Sequence, residues 1–176
     1  MLWRLWFRGR FRQRRHAGLA SASAAALSSV MPDSLQAIAT TVRAFLEPAW
    51  RQWQPGVEPA SRNTCGRSSL FLERVLRHEG HEARWTNGVP RLADDAPELG
   101  PFGFFTGTCW ESHAWVECGG LIVDVTADQF GAEPVIVTPA DDPRYGARTL
   151  DTASPEAIEA RKRTVDALWR DWLARA

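Results

Sequence analysis

Apolar residues recur at three- and four-residue steps between residues 63 and 80, which predicts a helix with one face packed on a core. Cys65, Leu72 and Leu76 lie on this face, a polar Asn-Thr pair precedes it, and Gly80 ends it. Cys65 is therefore expected in the first helical turn. There the unpaired N–H groups and the helix dipole favour the thiolate form. Such a cysteine is either a small core residue or a nucleophile.

Alternating apolar and polar residues over 112–126 surround two glycines and predict two antiparallel strands joined by a tight turn. A two-residue turn pairs Val116 with Val123, so one face of the hairpin is apolar and is expected to be buried. In the same register Asp124 lies diagonal to His113, within reach of the imidazole ring. The second face carries four side chains: His113, Trp115, Asp124 and Thr126.

Two further helices follow from the pattern. One covers residues 35–53, begins after a cap at Asp33 or Ser34, and is expected to break at Pro48. The other begins after a cap at Ser154 and runs to the C-terminus.

The remaining chain is predicted as short strands and loops. The strands cover residues 81–88 and 134–138, and the loops cover residues 54–62, 89–107 and 141–150. The long loop 89–107 contains three phenylalanines, which serve either as a cleft wall or as core residues. The fold class predicted is α+β, with the Cys65 helix packed on a small antiparallel sheet that carries His113 and Asp124.

Composition limits the functional classes. A chain of 176 residues is long enough for one domain, which we place at residues 31–176. The formal net charge is zero, so no overall field favours nucleic acid as a partner. Three cysteines without a Cys-x-x-Cys pair indicate reduced thiols, and we expect a cytoplasmic protein with no cofactor.

Residues 1–30 have a different character. Trp3, Phe7 and Phe11 recur every four residues among arginines, so a helix over residues 1–15 would be amphipathic and suited to an anionic membrane surface. The Ala- and Ser-rich stretch that follows is too weakly apolar for a transmembrane span. Three interpretations stay open for this segment: an artefact of start-site choice, a disordered tail, or a tail that contacts a membrane.

A metal site is not predicted. The run from His78 to Glu82 has two histidines, but the zincin pattern places two residues between the glutamate and the second histidine on one helix. Here Gly80 ends the helix between the two histidines. Cys118 falls on the apolar face of the hairpin and is expected in the core.

A thiol at a helix N-terminus, a histidine and a carboxylate are the nucleophile, base and orienting group of acyl transfer through a thioester. Cys65 at the start of a core helix, the run from His113 to Glu117, and Asp124 on the next strand resemble the transglutaminase-like branch of the papain-like cysteine enzymes. Within that branch they are most similar to the bacterial core that includes lasso-peptide leader proteases. The resemblance covers the middle third of the chain, and it implies a Cys65–His113–Asp124 triad.

Papain-like enzymes stabilise the oxyanion with the N–H of the cysteine and with a polar group just upstream of it. The candidates for that group are Trp53, Gln54 and Asn63, and the sequence does not choose among them. Asp128 competes with Asp124 as the orienting carboxylate. Because Asp128 lies past the end of the strand, it is otherwise expected to be a turn residue or a substrate contact. Trp115 and Phe104 are the aromatic candidates for substrate binding.

The predicted reaction is attack by Cys65 on an amide or peptide bond, with hydrolysis of the resulting thioester. Capture of the thioester by an amine would make the protein an acyltransferase or transglutaminase. The alternative from another class is a non-catalytic domain that binds a peptide or protein. The substrate is thus a peptide, a protein or a small amide, and the oligomeric state does not follow from the sequence.

Overall fold

The computed structural model describes residues 19–90, 101–147 and 153–175, with side chains from residue 31 onward. The predicted membrane-contacting segment 1–15, part of the loop 89–107, part of the loop 141–150 and the C-terminal residue lie outside these ranges. The chain divides into two compact units, Met1–Met31 and Pro32–Ala176. None of the described helices is both long and apolar enough to cross a membrane.

Helix α1 spans Leu19–Trp53 and continues through Pro32 and Pro48, so the predicted start after Asp33 or Ser34 and the predicted break are both wrong. Pro48 is exposed, so the carbonyl that loses its helical hydrogen bond lies on the solvent side. The opposite face is fully buried, and its packing keeps the helix continuous. That face consists of Leu35, Ala39, Val42, Leu46 and Trp50.

Helix α2 spans Cys65–His78 and ends before Gly80, whose φ of 86° is the left-handed value predicted for it. The N-cap is Thr64, but its hydroxyl donates to the carbonyl of Ser61 at 2.6 Å instead of accepting from the helix. On the buried face, Ser68 accepts a hydrogen bond from the indole of Trp50 at 3.0 Å, which fixes α2 against α1.

Four antiparallel strands form the larger sheet, in the order β1-β4-β5-β6. Their bounds are Ala83–Gly88, His113–Cys118, Leu121–Asp124 and Ile136–Pro139. Val116 pairs with Val123 across the β4–β5 hairpin, as the glycine turn predicts. Helix α2 packs on β1 and β4, and helix α3, Pro155–Leu173, packs on α2. The fold of the described residues is α+β, as predicted.

A second sheet has the order β3-β2-β7, with bounds Trp110–Glu111, Gly103–Phe105 and Tyr145–Gly146. Strands β2 and β7 were predicted as loop because their glycines resemble turn residues. The glycines instead allow close backbone contact. A Cβ added at Gly88 would lie 2.0 Å from the amide nitrogen of Gly103, and one at Gly146 would lie 2.3 Å from a carbonyl oxygen of Pro101.

The small sheet and the residues around it cover the face of the hairpin that carries His113 and Asp124. Phe104 of β2 and Tyr145 of β7 pack there, together with Phe130. Both faces of the hairpin are consequently buried, whereas the sequence predicted burial for only one of them.

Candidate active site

Cys65 is the first residue of α2 and is half-buried. The chain reaches it through a tight turn in which Asn63 has a φ of 56°, a left-handed value that asparagine tolerates better than most residues. Because the first N–H groups of a helix have no partner within the helix, the sulfur lies where developing negative charge is favoured.

His113 begins β4 and Asp124 ends β5, and both side chains are almost fully buried. Nε2 of His113 lies 2.6 Å from Oδ2 of Asp124. The phenol of Tyr145 donates to the same oxygen at 3.0 Å. The other oxygen, Oδ1, accepts from the backbone N–H of Thr126 at 2.8 Å and from its hydroxyl at 3.2 Å. A carboxylate with this set of donors is satisfied without water.

The thiol of Cys65 and the imidazole of His113 lie close enough for each to shift the pKa of the other. Burial raises the pKa of Cys65, but the hydrogen bond and charge of His113, with the N–H of Ala114, bring it below its ordinary value. For His113, burial lowers the pKa, and the nearby Asp124 and Cys65 outweigh burial and raise it to about 10. Both shifts favour a thiolate–imidazolium pair at neutral pH.

Asp124 stays ionised beside this pair. Burial raises the pKa of its carboxyl, but the charge and hydrogen bond of His113, with the donors from Thr126 and Tyr145, lower it below its ordinary value. The carboxylate can therefore fix the ring of His113 and stabilise its positive charge without itself taking up a proton.

The ring of His113 lies among aromatic side chains. Phe104 and Phe130 meet it edge to face at centroid distances of 5.7 and 5.0 Å, and Trp115 stacks on it at 6.0 Å. Phe104 and Trp115 were predicted to bind substrate, but both are almost fully buried. In this position they hold the imidazole in place and shield its bond to Asp124 from water.

Asp128, the predicted rival of Asp124, lies in another network. Both of its oxygens contact the guanidinium of Arg43, at 2.6 and 3.0 Å, and Oδ1 also accepts from the hydroxyl of Ser61 at 2.6 Å. This network ties α1 and the turn before Cys65 to the short 3-10 helix Ala127–Phe130. Asp128 thus anchors the approach to the cysteine, and Asp124 alone of the two contacts His113.

The three upstream candidates for the oxyanion donor differ in their contacts. Gln54 donates from Nε2 to the carbonyls of Ala60 and Arg62, at 3.0 and 2.6 Å, so both of its amide hydrogens are used. The ring of Trp53 lies under the guanidinium of Arg67, 4.2 Å from its centre. Asn63 is exposed next to Cys65.

Gln129 is a site residue that the sequence analysis missed. Its Oε1 accepts from the backbone N–H of Asn63 at 3.2 Å, and its Nε2 donates to the carbonyl of Thr126 at 3.0 Å. The same Nε2 lies 3.5 Å from Nδ1 of His113. These contacts fix the orientation of the amide and leave one N–H beside the thiol–imidazole pair. Gln129 and Tyr145 both occur in stretches with turn character, so no periodic signal marked them.

The described residues bring no group of three or more histidine, cysteine, aspartate or glutamate side chains together in a way that could hold a metal ion. The ring of His78 packs edge to face on Trp169 at 5.2 Å. The site itself offers a thiol, an imidazole, a carboxylate and oriented amides.

No protein-family model matches this chain, and no curated protein or solved structure is significantly similar to it. The resemblance to transglutaminase-like enzymes accordingly rests on the motifs around Cys65, His113 and Asp124.

Alkylation of Cys65 should show the lowered thiol pKa directly. With iodoacetamide, we expect Cys65 to react at a rate that stays high well below the ordinary thiol pKa of about 8.5. The substitution His113→Ala removes the imidazolium that stabilises the thiolate. The rate of Cys65 alkylation near pH 6 should therefore fall at least about tenfold and recover as the pH rises. Peptide mapping by mass spectrometry follows each cysteine, with the exposed Cys109 as the internal control. A Cys65 profile with its midpoint at or above that of Cys109 would contradict the ion pair.

Proposed function

We propose that this protein is a cysteine-dependent acyl-transfer enzyme that hydrolyses an amide or peptide bond through a thioester on Cys65. The observation that carries the proposal is the combination of a half-buried thiol at a helix start, a buried His113 that lowers the pKa of this thiol, and an Asp124 carboxylate that bonds the imidazole. Apolar residues of similar volume would often stabilise the fold at least as well as a buried ion pair. A catalytic role gives a reason for the ion pair that stability does not.

In the proposed mechanism the Cys65 thiolate attacks the carbonyl carbon, a C–S bond forms, and the carbonyl oxygen becomes an oxyanion. The imidazolium of His113 then gives its Nδ1 proton to the leaving amine as the C–N bond breaks. The neutral imidazole next removes a proton from water, which attacks the thioester and releases the acid. Finally, the C–S bond of the second tetrahedral intermediate breaks, Cys65 leaves as the thiolate, and His113 keeps the proton that it took from water.

The oxyanion would be held by the N–H of Cys65 and by Gln129. The hydrogen bond from Asn63 fixes Oε1 of Gln129, which turns the amide hydrogens toward Thr126 and the reacting pair. We prefer Gln129 to Gln54 because both hydrogens of the Gln54 amide already bind backbone carbonyls.

The arrangement of the Cys65 helix against a sheet carrying His113 and Asp124 supports assignment to a transglutaminase-like core. Hydrolysis is preferred over transfer to an amine because water needs no dedicated acceptor site. A peptide or protein is the substrate class that we propose, because a surface groove lies at the start of the Cys65 helix. We place the enzyme in the cytoplasm because its chemistry needs a reduced thiol.

Acylation by an activated ester tests the proposed chemistry without knowledge of the natural substrate. After incubation with p-nitrophenyl acetate, we expect acetyl transfer to Cys65, followed by its loss to water over many turnovers. His113→Ala should lower the acylation rate about a hundredfold or more, because general acid–base catalysis is worth roughly that much. The variant Cys109→Ala is the matched control and should behave as the parent. Equal acetylation of all three cysteines, or none at Cys65, would instead favour the non-catalytic binding domain.

Replacement of Gln129 tests its role in stabilising the oxyanion. Gln129→Glu keeps the size of the side chain but brings negative charge to the oxyanion, so kcat for ester hydrolysis should fall about 100- to 1000-fold. Gln54→Glu is the matched control and should lower kcat much less. If the two variants lose the same activity, or if Gln129→Glu has unchanged kcat, Gln129 is not the donor.

A further inference from the structure

A surface groove lies between the start of α2 and helix α3. Its volume is about 300 Å³. One wall is formed by Asn63, Gly66 and Arg67, and the other by Ala160, Arg161 and Thr164. No carboxylate lines it among the described residues, and two guanidinium groups do. Cys65 does not itself line the groove, but Asn63 and Gly66 lie close to it in the chain, and the charge of Cys65 acts on that of Arg67.

Arg67 is the unusual residue of this groove. It is half-buried, and no carboxylate of the described residues lies within ion-pairing distance of it. Other arginines of comparable burial are compensated: Arg43 pairs with Asp128, and Arg144 pairs with Asp142. Burial lowers the pKa of Arg67, and the charge of Cys65 is what opposes the shift. A partly desolvated guanidinium that lacks a carboxylate partner is costly unless a ligand supplies one.

The geometry of Arg67 suits a planar anion. Its guanidinium lies over the ring of Trp53, 4.2 Å from the ring centre. Stacking of this kind holds the guanidinium plane while its N–H groups stay available at the edges, where a carboxylate binds through two parallel hydrogen bonds.

Arg161 lies on the opposite wall of the groove. Its guanidinium lies over the ring of Trp85, 4.8 Å from the centre. A Cβ at Gly66 would lie 3.4 Å from its Nη1, so Arg161 lies against the start of α2.

We propose that this groove recognises a carboxylate of the substrate next to the bond that Cys65 attacks, so that the enzyme acts on acidic acyl groups or acidic peptides. The inference rests on the proposed hydrolase function, because it names the substrate of the same site. The carboxylate comes either from an aspartate or glutamate side chain or from a free C-terminus.

The test uses the full chain and a library of short peptides in two arms. In one arm, peptides carry glutamate or aspartate at each position, matched to glutamine or asparagine, with an amidated C-terminus. In the other arm, neutral peptides have a free or an amidated C-terminus. Cleavage is followed by mass spectrometry. We expect a preference of at least about tenfold in kcat/KM for the acidic member of a pair in one arm, and that arm identifies the source of the carboxylate.

Arg67→Gln should remove most of this preference: kcat/KM should fall about tenfold or more for the acidic peptides and less than about threefold for their neutral partners. Arg67→Lys keeps the charge without the paired hydrogen bonds and should fall between the two. The matched control is Arg74→Gln, since Arg74 also lies on α2 and stacks on a tryptophan, Trp169, but pairs with Asp166 away from the groove. An equal loss on acidic and neutral peptides, or no preference in the parent, would overturn the proposal.

A second measurement separates this inference from the proposed function. Acidic peptides should slow the alkylation of Cys65 by iodoacetamide, their amide counterparts should not, and Arg67→Gln should abolish the protection. If protection is seen without cleavage of any peptide, the groove assignment stands and the hydrolase proposal fails. If peptides are cleaved without charge preference or protection, the hydrolase proposal stands and the groove assignment fails.

Discussion

The buried contact between His113 and Asp124, 2.6 Å long, is the interaction on which the rest of this structure depends. Placing an ionised carboxylate and an imidazole where water does not reach is unfavourable unless every polar atom finds a partner. Thr126 and Tyr145 supply the remaining donors to Asp124. The second sheet carries Phe104 and Tyr145, which cover the hairpin and complete the burial of this contact.

The elements that deliver the thiol are fixed by a second set of polar contacts. Arg43 and Asp128 hold the 3-10 helix against α1, and Ser61 joins the turn before Cys65 to the same carboxylate. Gln129 then links Asn63 to the surroundings of His113. The contacts of Asp128 with Arg43 and Ser61, and of Gln129 with Asn63, join segments more than 60 residues apart. Together these contacts set the position of the sulfur relative to the imidazole. The start of α2 is therefore positioned from both sides.

The parts of this fold that the sequence predicts are those with a strong repeating pattern. The Cys65 helix has a regular apolar face and a glycine at its end, and the hairpin register follows from two adjacent glycines. The second sheet had no such signal. Gly88, Gly103 and Gly146 allow close backbone contacts in the structure, but in a sequence such glycines look like turn residues. The predicted break at Pro48 was wrong for a related reason. Whether a proline breaks a helix depends on which side of the helix packs on the core, and the sequence does not show this packing. Likewise, Asp128 and Gln129 take their roles from partners far along the chain.

Direct observation of the His113 protonation state tests the central claim, which is that this histidine is a buried cation held between a thiolate and a carboxylate. Nitrogen-15 NMR of the imidazole across a pH titration reports whether both ring nitrogens carry protons. The account predicts a doubly protonated ring well above neutrality, with a titration near the raised pKa of about 10 that moves down when Cys65→Ser removes the thiolate. A neutral ring at pH 7, titrating near its ordinary value of about 6.5 in both proteins, would contradict it.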